Sequence, residues 1–292
     1  MKILLTGLDG QLGKQLQSFL APLGDLTTVG RATLDLANAE DIYKAIEEVK
    51  PEIIVNAAAY TAVDKSESEV ELATAVNGTA PGILAAEAER LGATLIHVST
   101  DYVFDGTRSV PYLESDPTNP LGAYGASKLK GEEAIEKTNA KYVIIRTAWV
   151  YGAYGKGNFV KTMLRLGKER EELRVVYDQV GTPTWTGDLA GAISQLIPRL
   201  SGDNLGIYHY TNSGAISWYD FAIAIFEEAE KLGFPLKIKR VVPITTAEYP
   251  TPAKRPAYSV LNCAKISQVL ETYPPHWREG LRQMLKELAE IS

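Results

Sequence analysis

The sequence predicts an α/β protein with a Rossmann-like, doubly wound parallel sheet, followed by a smaller C-terminal α/β lobe. Two observations predict it. Short β-rich segments alternate with helix-length amphipathic segments through the first half of the chain, and the first strand–helix joint is rich in glycine. Such alternation is typical of a parallel sheet covered by helices on both faces. We expect one domain at residues 1–150. Residues 151–292 should form mainly a second lobe, with segments returning to the first domain.

The first half contains the most regular patterns. A buried strand at residues 3–6 precedes an amphipathic helix at 11–20 that places Leu12, Leu16 and Leu20 on one face. Further strands are predicted at residues 26–29, 53–56, 94–99 and 142–146, and further helices at 40–49, 69–91 and 126–137. Pro81 should kink or break the helix that contains it.

The second half is less regular. Helices are predicted at residues 159–171, 187–200, 218–232 and 275–290, and short strands at 174–177 and 206–210. Prolines at positions 243, 250, 252 and 256 interrupt the pattern between the last two helices. We therefore expect an irregular lobe in this part of the chain.

The composition excludes several classes of function. A net charge of -6 over 292 residues offers no basic surface for nucleic acid or membrane. The single cysteine, Cys263, excludes an internal disulfide framework, and the three histidines lack metal-ligand spacing. No apolar run approaches the roughly 20 residues of a membrane helix. Because the residues after Met1 are a predicted strand rather than a signal peptide, we expect a cytoplasmic protein.

The glycine-rich joint has the spacing Gly7-x-x-Gly10-x-x-Gly13, between the first strand and the first helix. Glycine allows a tight turn and a close approach of backbone N–H groups to a pyrophosphate, and the following helix N-terminus favours negative charge. The spacing differs from the usual G-x-G-x-x-G, and a purely structural turn is the alternative. Its position after a strand and before a helix favours a dinucleotide site.

Arg31 follows the second predicted strand, where the adenosine end of a dinucleotide would lie. An acidic residue at this point binds a ribose hydroxyl, whereas an arginine accommodates a 2′-phosphate. The sequence therefore favours NADPH, with NADH as the alternative cofactor and a solvated surface arginine as the structural alternative. Asp35 and Leu36, slightly downstream, are candidates to flank the adenine.

Tyr124 and Lys128 are spaced by four residues at the start of a predicted helix, so both lie on one face. A phenol has an ordinary pKa of about 10, and a neighbouring ammonium lowers it toward working pH. Such a pair can protonate an alkoxide that forms as hydride reaches a carbonyl. Thr100, at the end of the fourth strand, could bind the same carbonyl oxygen. Chance helix-surface spacing and turn capping are the alternatives.

Longer segments carry a resemblance. Residues 55–67, 99–104 (STDYVF), 146–152 (RTAWVYG), 158–164 and 249–256 resemble the extended short-chain dehydrogenase/reductases, and within them the branch that acts on dTDP-4-dehydro-L-rhamnose. The resemblance covers essentially the whole chain. It implies reduction of the C4 ketone to dTDP-L-rhamnose, a precursor of cell-surface polysaccharide.

The resemblance also implies roles for individual residues. The pyrophosphate would be bound by Gly7, Gly10, Gln11, Leu12 and Gly13. The adenosine and its ribose would lie beside Ala57, Ala58, Ala59 and Tyr60. Tyr124 would donate the proton, Lys128 would hold the nicotinamide ribose, and Thr100 would bind the keto oxygen. The sugar pocket would be lined by Val63, Asp101, Tyr102 and Trp149. Arg255 is a candidate either for the substrate diphosphate or for a structural ion pair.

Some relatives form a dimer bridged by magnesium between interface glutamates. The matching position here is Gln15, a poor ligand for a hard cation, and residues 183–188 lack the second glutamate. We therefore predict no bound metal. A homodimer is compatible with the sequence, but not one bridged by a metal.

The residues after Thr100 disfavour a related activity. A nucleotide-sugar 4,6-dehydratase needs an Asp-Glu pair after the threonine, and the sequence has Asp101-Tyr102. Another nucleotide-4-keto-deoxysugar reductase and a non-catalytic regulatory subunit stay open. Retention of Thr100, Tyr124 and Lys128 favours catalysis. His97 in an apolar strand and Trp218 at helical spacing are interpreted as core residues.

Overall fold

The computed structural model describes residues 1–291. The strands are β1 (Lys2–Thr6), β2 (Asp25–Val29), β3 (Ile53–Asn56), β4 (Thr94–Thr100), β5 (Lys141–Thr147), β6 (Val150–Tyr151), β7 (Glu172–Val176), β8 (Val180–Gly181), β9 (Thr184–Trp185), β10 (Gly206–His209), β11 (Ile216–Ser217) and β12 (Arg240–Ile244). The helices are α1 (Gln11–Leu20), α2 (Ala39–Val49), α3 (Val63–Ser66), α4 (Val70–Thr74), α5 (Ala80–Leu91), α6 (Ala123–Glu136), α7 (Phe159–Glu169), α8 (Thr186–Leu196), α9 (Trp218–Lys231), α10 (Ala264–Leu270) and α11 (Trp277–Ile291).

Six strands form the central sheet in the order β10-β5-β4-β3-β1-β2, and every neighbouring pair is parallel. The predicted fold class is confirmed. The chain runs from β1 to β2 on one side and then crosses to β3 on the other side of β1. In open parallel sheets, this reversal opens a crevice at the carboxyl ends of the strands.

Helices cover both faces of the sheet. On one face, α1 and α8 share a buried core that includes Leu16 and Ile193. On the other, α2, α5 and α6 bury side chains such as Ile46, Leu84 and Ile135. The strand β10 and the helix α8 come from the second half of the chain. The predicted boundary near residue 150 stays a prediction.

The remaining segments form a smaller layer around α7, α9 and α11, with the short parallel pair β7 and β12. Its core is rich in aromatic rings, including Phe221 and Trp277. The strands β7 and β10 match the two short strands predicted for this half of the chain. The strands β6, β8, β9, β11 and β12 and the helices α3 and α10 were not predicted, because two to seven residues carry too little periodicity to identify. No helix among residues 1–291 has the length and apolar character needed to cross a bilayer.

The predicted helix at residues 69–91 is divided in a different way than expected. A π-helical segment, Ala75–Thr79, separates α4 from α5, and Pro81 lies in the first turn of α5. The backbone stays right-handed helical through Thr79 and Ala80, so the two helices are continuous. The break in the regular pattern therefore lies directly before Pro81 and takes the form of a π-helical segment. Such segments often occur at functional sites.

A buried ion pair joins α6 to β5. The Arg146 guanidinium donates to both carboxylate oxygens of Glu132, with the closest contact at 2.6 Å, and both side chains are at most 3% exposed. Ser99, next to the end of β4, donates its hydroxyl to the same carboxylate. The pair therefore anchors the strand end that presents Thr100.

Glu132→Gln is expected to lower the free energy of unfolding by about 3–5 kcal/mol, because it leaves the Arg146 charge buried without a counterion. Urea unfolding measures this difference. The control is Glu169→Gln, which removes an exposed i,i+4 pair with Arg165 and should cost no more than about 0.5 kcal/mol. Equal losses for the two variants would contradict the role of the buried pair.

Candidate active site

A cavity of about 680 Å³ opens at the carboxyl ends of the central strands. It is lined by the glycine loop, the segments that follow β2, β3 and β4, the start of α6, and residues from 147 to 159. Every site residue predicted from the sequence lines this cavity except Gly13 and Arg255. The fold therefore gathers into one space side chains that are spread over the first half of the sequence.

The glycine loop forms a cradle that only glycine can form. Gly7 has a φ of +85°, and a Cβ there would lie 2.8 Å from the backbone nitrogen of Ala58. Gly13 lies behind the loop, where a Cβ would overlap the carbonyl oxygen of Gly7. Its contribution is close packing of α1 against the loop. Gly10 is the N-cap and has no side chain, so the N–H groups of the first turn stay available to an anion. This geometry fits a dinucleotide pyrophosphate.

Arg255 is engaged outside the cavity lining. Its guanidinium donates to Asp64 at 3.0 Å and to the carbonyl oxygen of Ala253 at 3.0 Å. Of its two predicted roles, the structure supports the ion pair, because the charge is already matched by the carboxylate of α3. The contact with Asp64 also holds the loop that precedes residue 256 against the first half of the chain.

The predicted catalytic residues lie at the end of β4 and the start of α6. The Thr100 hydroxyl donates to the Asp101 carboxylate at 3.1 Å and accepts from the Tyr102 N–H at 3.2 Å. The rings of Tyr102 and Tyr124 pack edge to face, with their centroids 5.4 Å apart. Burial raises the pKa of the Asp101 carboxyl to about 6, and the hydroxyls of Ser259 and Thr100 offset part of that shift.

Tyr124 departs from the prediction of a lowered pKa. Burial raises the pKa of its phenol to about 12, against which the Thr100 hydroxyl acts to lower it. The ammonium of Lys128 does not supply the expected effect because it donates to the Val98 carbonyl at 2.7 Å and lies 3.2 Å from the Nε2 of His97. A raised pKa keeps the phenol protonated, which is the form that can donate a proton to an alkoxide.

Lys128 is itself strongly perturbed. Its side chain is 1% exposed, and burial lowers the pKa of the ammonium to about 8, with the charge of Glu132 acting in the opposite direction. His97 is buried, as the sequence predicted, but it is more than a packing residue because it contacts Lys128 directly. A local pattern could not indicate this contact between residues 31 positions apart.

Asn77 joins the two walls of the cavity and was not identified from the sequence. It lies on the π-helical segment, accepts from the N–H of Tyr60 at 2.9 Å and donates to its carbonyl at 3.0 Å. It also donates to the hydroxyl of Ser127, which in turn donates to the carbonyl of Tyr124. The loop after β3 and the catalytic helix are thereby held at a fixed distance.

Trp149 and Trp218 form an aromatic wall. Their rings stack with centroids 3.5 Å apart and planes inclined by 6°, and both line the cavity. Trp149 has a φ of +47°, and a Cβ on Gly181 would lie 2.6 Å from its indole. Trp218 packs against the core, as the sequence predicted, but it also lines the cavity, which was not predicted. The sequence placed it correctly on a helix, α9, but could not show that the helix ends at the cavity.

A loop over the glycine cradle was also missed. Gly155, Lys156 and Asn158 line the cavity, and Asn158 donates to the side-chain oxygen of Gln11 at 3.1 Å. Gln11 in turn donates to the carbonyl of Val150 at 2.9 Å. These bonds tie the N-terminus of α1 to the second half of the chain, and they place a lysine next to the pyrophosphate cradle.

Residues 1–290 match the family model described as the RmlD substrate binding domain. The dTDP-4-dehydrorhamnose reductase of Burkholderia thailandensis is 45% identical over 99% of both chains. That of Escherichia coli K12 is 47% identical over 99% of this chain and 98% of the relative. A crystal structure of dTDP-4-dehydrorhamnose reductase from Bacillus anthracis in complex with NADP is 41% identical, covers 98% of this chain and all of that one, and superposes with a TM-score of 0.90. From the match of nearly its whole length, the chain belongs to the RmlD family of dTDP-4-dehydrorhamnose reductases.

Proposed function

We propose that this protein reduces the C4 ketone of dTDP-4-dehydro-L-rhamnose with NADPH, giving dTDP-L-rhamnose. The observation that carries the proposal is the convergence of Thr100, Tyr124 and Lys128 on the cavity that also contains the glycine cradle. The names of the relatives and the NADP complex of the Bacillus anthracis structure support the choice of substrate and cofactor. NADH is the alternative cofactor.

The bound cofactor would supply hydride to the C4 carbon of the sugar. Tyr124 gives its phenolic proton to the C4 oxygen, which becomes the hydroxyl of the product. Thr100 binds the same oxygen after its hydroxyl rotates away from Asp101. Lys128 holds the hydroxyls of the nicotinamide ribose, and solvent returns a proton to the phenolate of Tyr124.

The remaining pocket residues sort by position. Val63, Tyr102 and Trp149 would contact the deoxysugar, with the stacked indoles of Trp149 and Trp218 as an apolar wall. On the cofactor side, the adenosine ribose would lie beside Ala57, Ala58, Ala59 and Tyr60. The adenine would be flanked by Asp35 and Leu36.

The assay follows loss of NADPH absorbance with enzymatically prepared dTDP-4-dehydro-L-rhamnose, and NMR identifies the product. We expect oxidation of NADPH and formation of dTDP-L-rhamnose. Folded protein that oxidises neither NADPH nor NADH would overturn the proposal and favour the regulatory role.

Arg31→Ala is expected to raise KM for NADPH by about tenfold, because it removes one charge-assisted contact to the 2′-phosphate. KM for NADH, which has no such phosphate, should change by less than about twofold. Steady-state kinetics with each cofactor measures the ratio of KM for NADPH to KM for NADH. Arg165→Ala, an exposed arginine on α7, serves as the control. A parallel rise for both cofactors would contradict the assigned contact.

The sequence is compatible with a homodimer, and we expect no metal to bridge it. Gln15 is buried within α1 at 8% exposure. Among residues 1–291, no group of three or more His, Cys, Asp or Glu side chains is arranged to hold a metal. The absence of a functional metal stays a prediction.

A further inference from the structure

The imidazole of His97 connects Lys128 to the strands behind the cavity. Its Nε2 lies 3.2 Å from the Nζ of Lys128, and its Nδ1 lies 3.0 Å from the side-chain amide of Asn56 on β3. The Thr6 hydroxyl on β1 donates to the Oδ1 of the same amide at 2.7 Å, so the structure places the NH₂ group of Asn56 toward Nδ1 of His97. All four side chains are at most 1% exposed. A buried chain of hydrogen bonds therefore crosses three neighbouring strands and ends on Lys128.

The direction of each bond in this chain follows from the number of protons. An ammonium has only donors, so Nε2 of His97 must accept if Lys128 is charged. Burial, and then the charge of Lys128, hold the pKa of His97 well below its ordinary value, so the ring is neutral and has one donor. That donor is then Nδ1–H, which requires the Asn56 amide to be turned over from its placement in the structure, so that its oxygen faces Nδ1. The turn exchanges an oxygen and a nitrogen of nearly equal size. The NH₂ group of Asn56 then faces the Thr6 hydroxyl.

The opposite orientation of the Asn56 amide requires a different charge on Lys128. If the NH₂ group of Asn56 donated to Nδ1, the ring hydrogen would lie on Nε2 and could be accepted only by a neutral lysine. The orientation of the Asn56 amide and the charge of Lys128 are therefore coupled. A charged Lys128 needs the arrangement in which Thr6 and Asn56 fix the Nδ1–H tautomer of His97.

Few other groups can hold the ammonium in place. The Val98 carbonyl accepts one of its hydrogens at 2.7 Å. Glu132 lies one turn further along α6, but its carboxylate is already paired with Arg146 of β5. Tyr124, on the same face of α6, stays protonated because burial raises its pKa. His97 is the titratable partner that β4 contributes.

We propose that His97 is a positioning residue for Lys128, accepting one hydrogen bond from its ammonium while Asn56 and Thr6 fix the required tautomer. The proposal rests on the proposed function, in which Lys128 holds the nicotinamide ribose as an ammonium. It assigns a role in the reaction to His97 and Asn56, which do not line the cavity, and to Thr6, which does.

Two variants of similar polarity separate positioning from packing. The amide of asparagine reaches the position of Nδ1, and that of glutamine reaches the position of Nε2. His97→Asn is expected to lower kcat by about 10- to 100-fold, because the reacting group is misplaced. It should also move the alkaline limb of the kcat/KM profile about one pH unit lower, since the ammonium loses a partner. His97→Gln restores an acceptor and should stay within about threefold of the wild type. Equal kcat for both variants, with the alkaline limb unmoved, would overturn the proposal.

A second measurement does not depend on turnover. In protein labelled with ¹⁵N-histidine, the ring nitrogen shifts of His97 report which nitrogen carries the hydrogen, and the His97→Gln spectrum assigns the signals. We expect the Nδ1–H tautomer between pH 6 and 7. The Nε2–H tautomer would exclude acceptance from Lys128 even if the enzyme is active. Conversely, an inactive protein in which His97 has the Nδ1–H tautomer would contradict the proposed function but not the hydrogen bond between His97 and Lys128.

Discussion

Tyr124→Phe is expected to lower kcat by about 10²- to 10⁴-fold, which is the range that a positioned general acid contributes. The variant removes one oxygen from a side chain that packs edge to face on Tyr102, so the ring packing is kept. Binding of NADPH should change by less than about twofold, because the phenol acts on the keto oxygen. Stopped-flow measurement of single-turnover NADPH oxidation, together with calorimetric titration of the cofactor, tests both expectations.

The matched control is Tyr112→Phe. Tyr112 is 2% exposed, lies outside the cavity and donates its hydroxyl to Asp105. Removal of that hydroxyl should lower the free energy of unfolding and leave kcat unchanged. If Tyr124→Phe kept kcat within threefold of the wild type while Tyr112→Phe behaved in the same way, another group would have to be the proton donor.

The pH profile of the same reaction separates Tyr124 from Lys128. The pKa of Tyr124 is raised to about 12, so the phenol keeps its proton throughout the usual assay range. The pKa of Lys128 is lowered to about 8, so the ammonium loses its proton as the pH rises through that value. Reduction should therefore slow above pH 8 through Lys128. The residual activity of Tyr124→Phe should retain this alkaline limb.

The parts of this site that local spacing determines could be predicted from the sequence. Gly7, Gly10 and Gly13 bracket one strand–helix joint, and Tyr124 and Lys128 are one helical turn apart. Each pattern lies within seven residues, so backbone geometry alone brings its members together. Their gathering into one cavity then follows from the parallel sheet, whose carboxyl ends meet at one edge.

The parts that were missed depend on contacts between distant segments. His97 reaches Lys128 across 31 positions, and Asn77 reaches Ser127 across 50. Trp218 meets Trp149 only because α9 packs with its N-terminus at the cavity. Only for His97 was burial predicted correctly from the sequence. In each case the partner was set by tertiary packing, which local periodicity does not encode.

Gly13→Ala is expected to weaken NADPH binding by about 10- to 100-fold, the effect of 1–3 kcal/mol of overpacking at a contact that cannot relax. A Cβ at this position overlaps the carbonyl oxygen and carbon of Gly7, both of which are backbone atoms. Either the loop or the N-terminus of α1 must move, and these two elements form the pyrophosphate cradle. Isothermal titration of the folded variant with NADPH measures the loss.

Gly191→Ala provides the control, because it adds the same methyl group to the interior of another helix, α8. The nearest atom to a Cβ there is the Cε1 of Phe19 at 3.6 Å, an ordinary contact. Replacement of a helical glycine by alanine should raise the free energy of unfolding by up to about 1 kcal/mol and leave NADPH binding unchanged. Both variants gain helix propensity, so any difference in cofactor affinity between them comes from the steric clash. If Gly13→Ala bound NADPH as tightly as Gly191→Ala, α1 could not pack against the loop as closely as described, and the cradle would have to bind the pyrophosphate in another way.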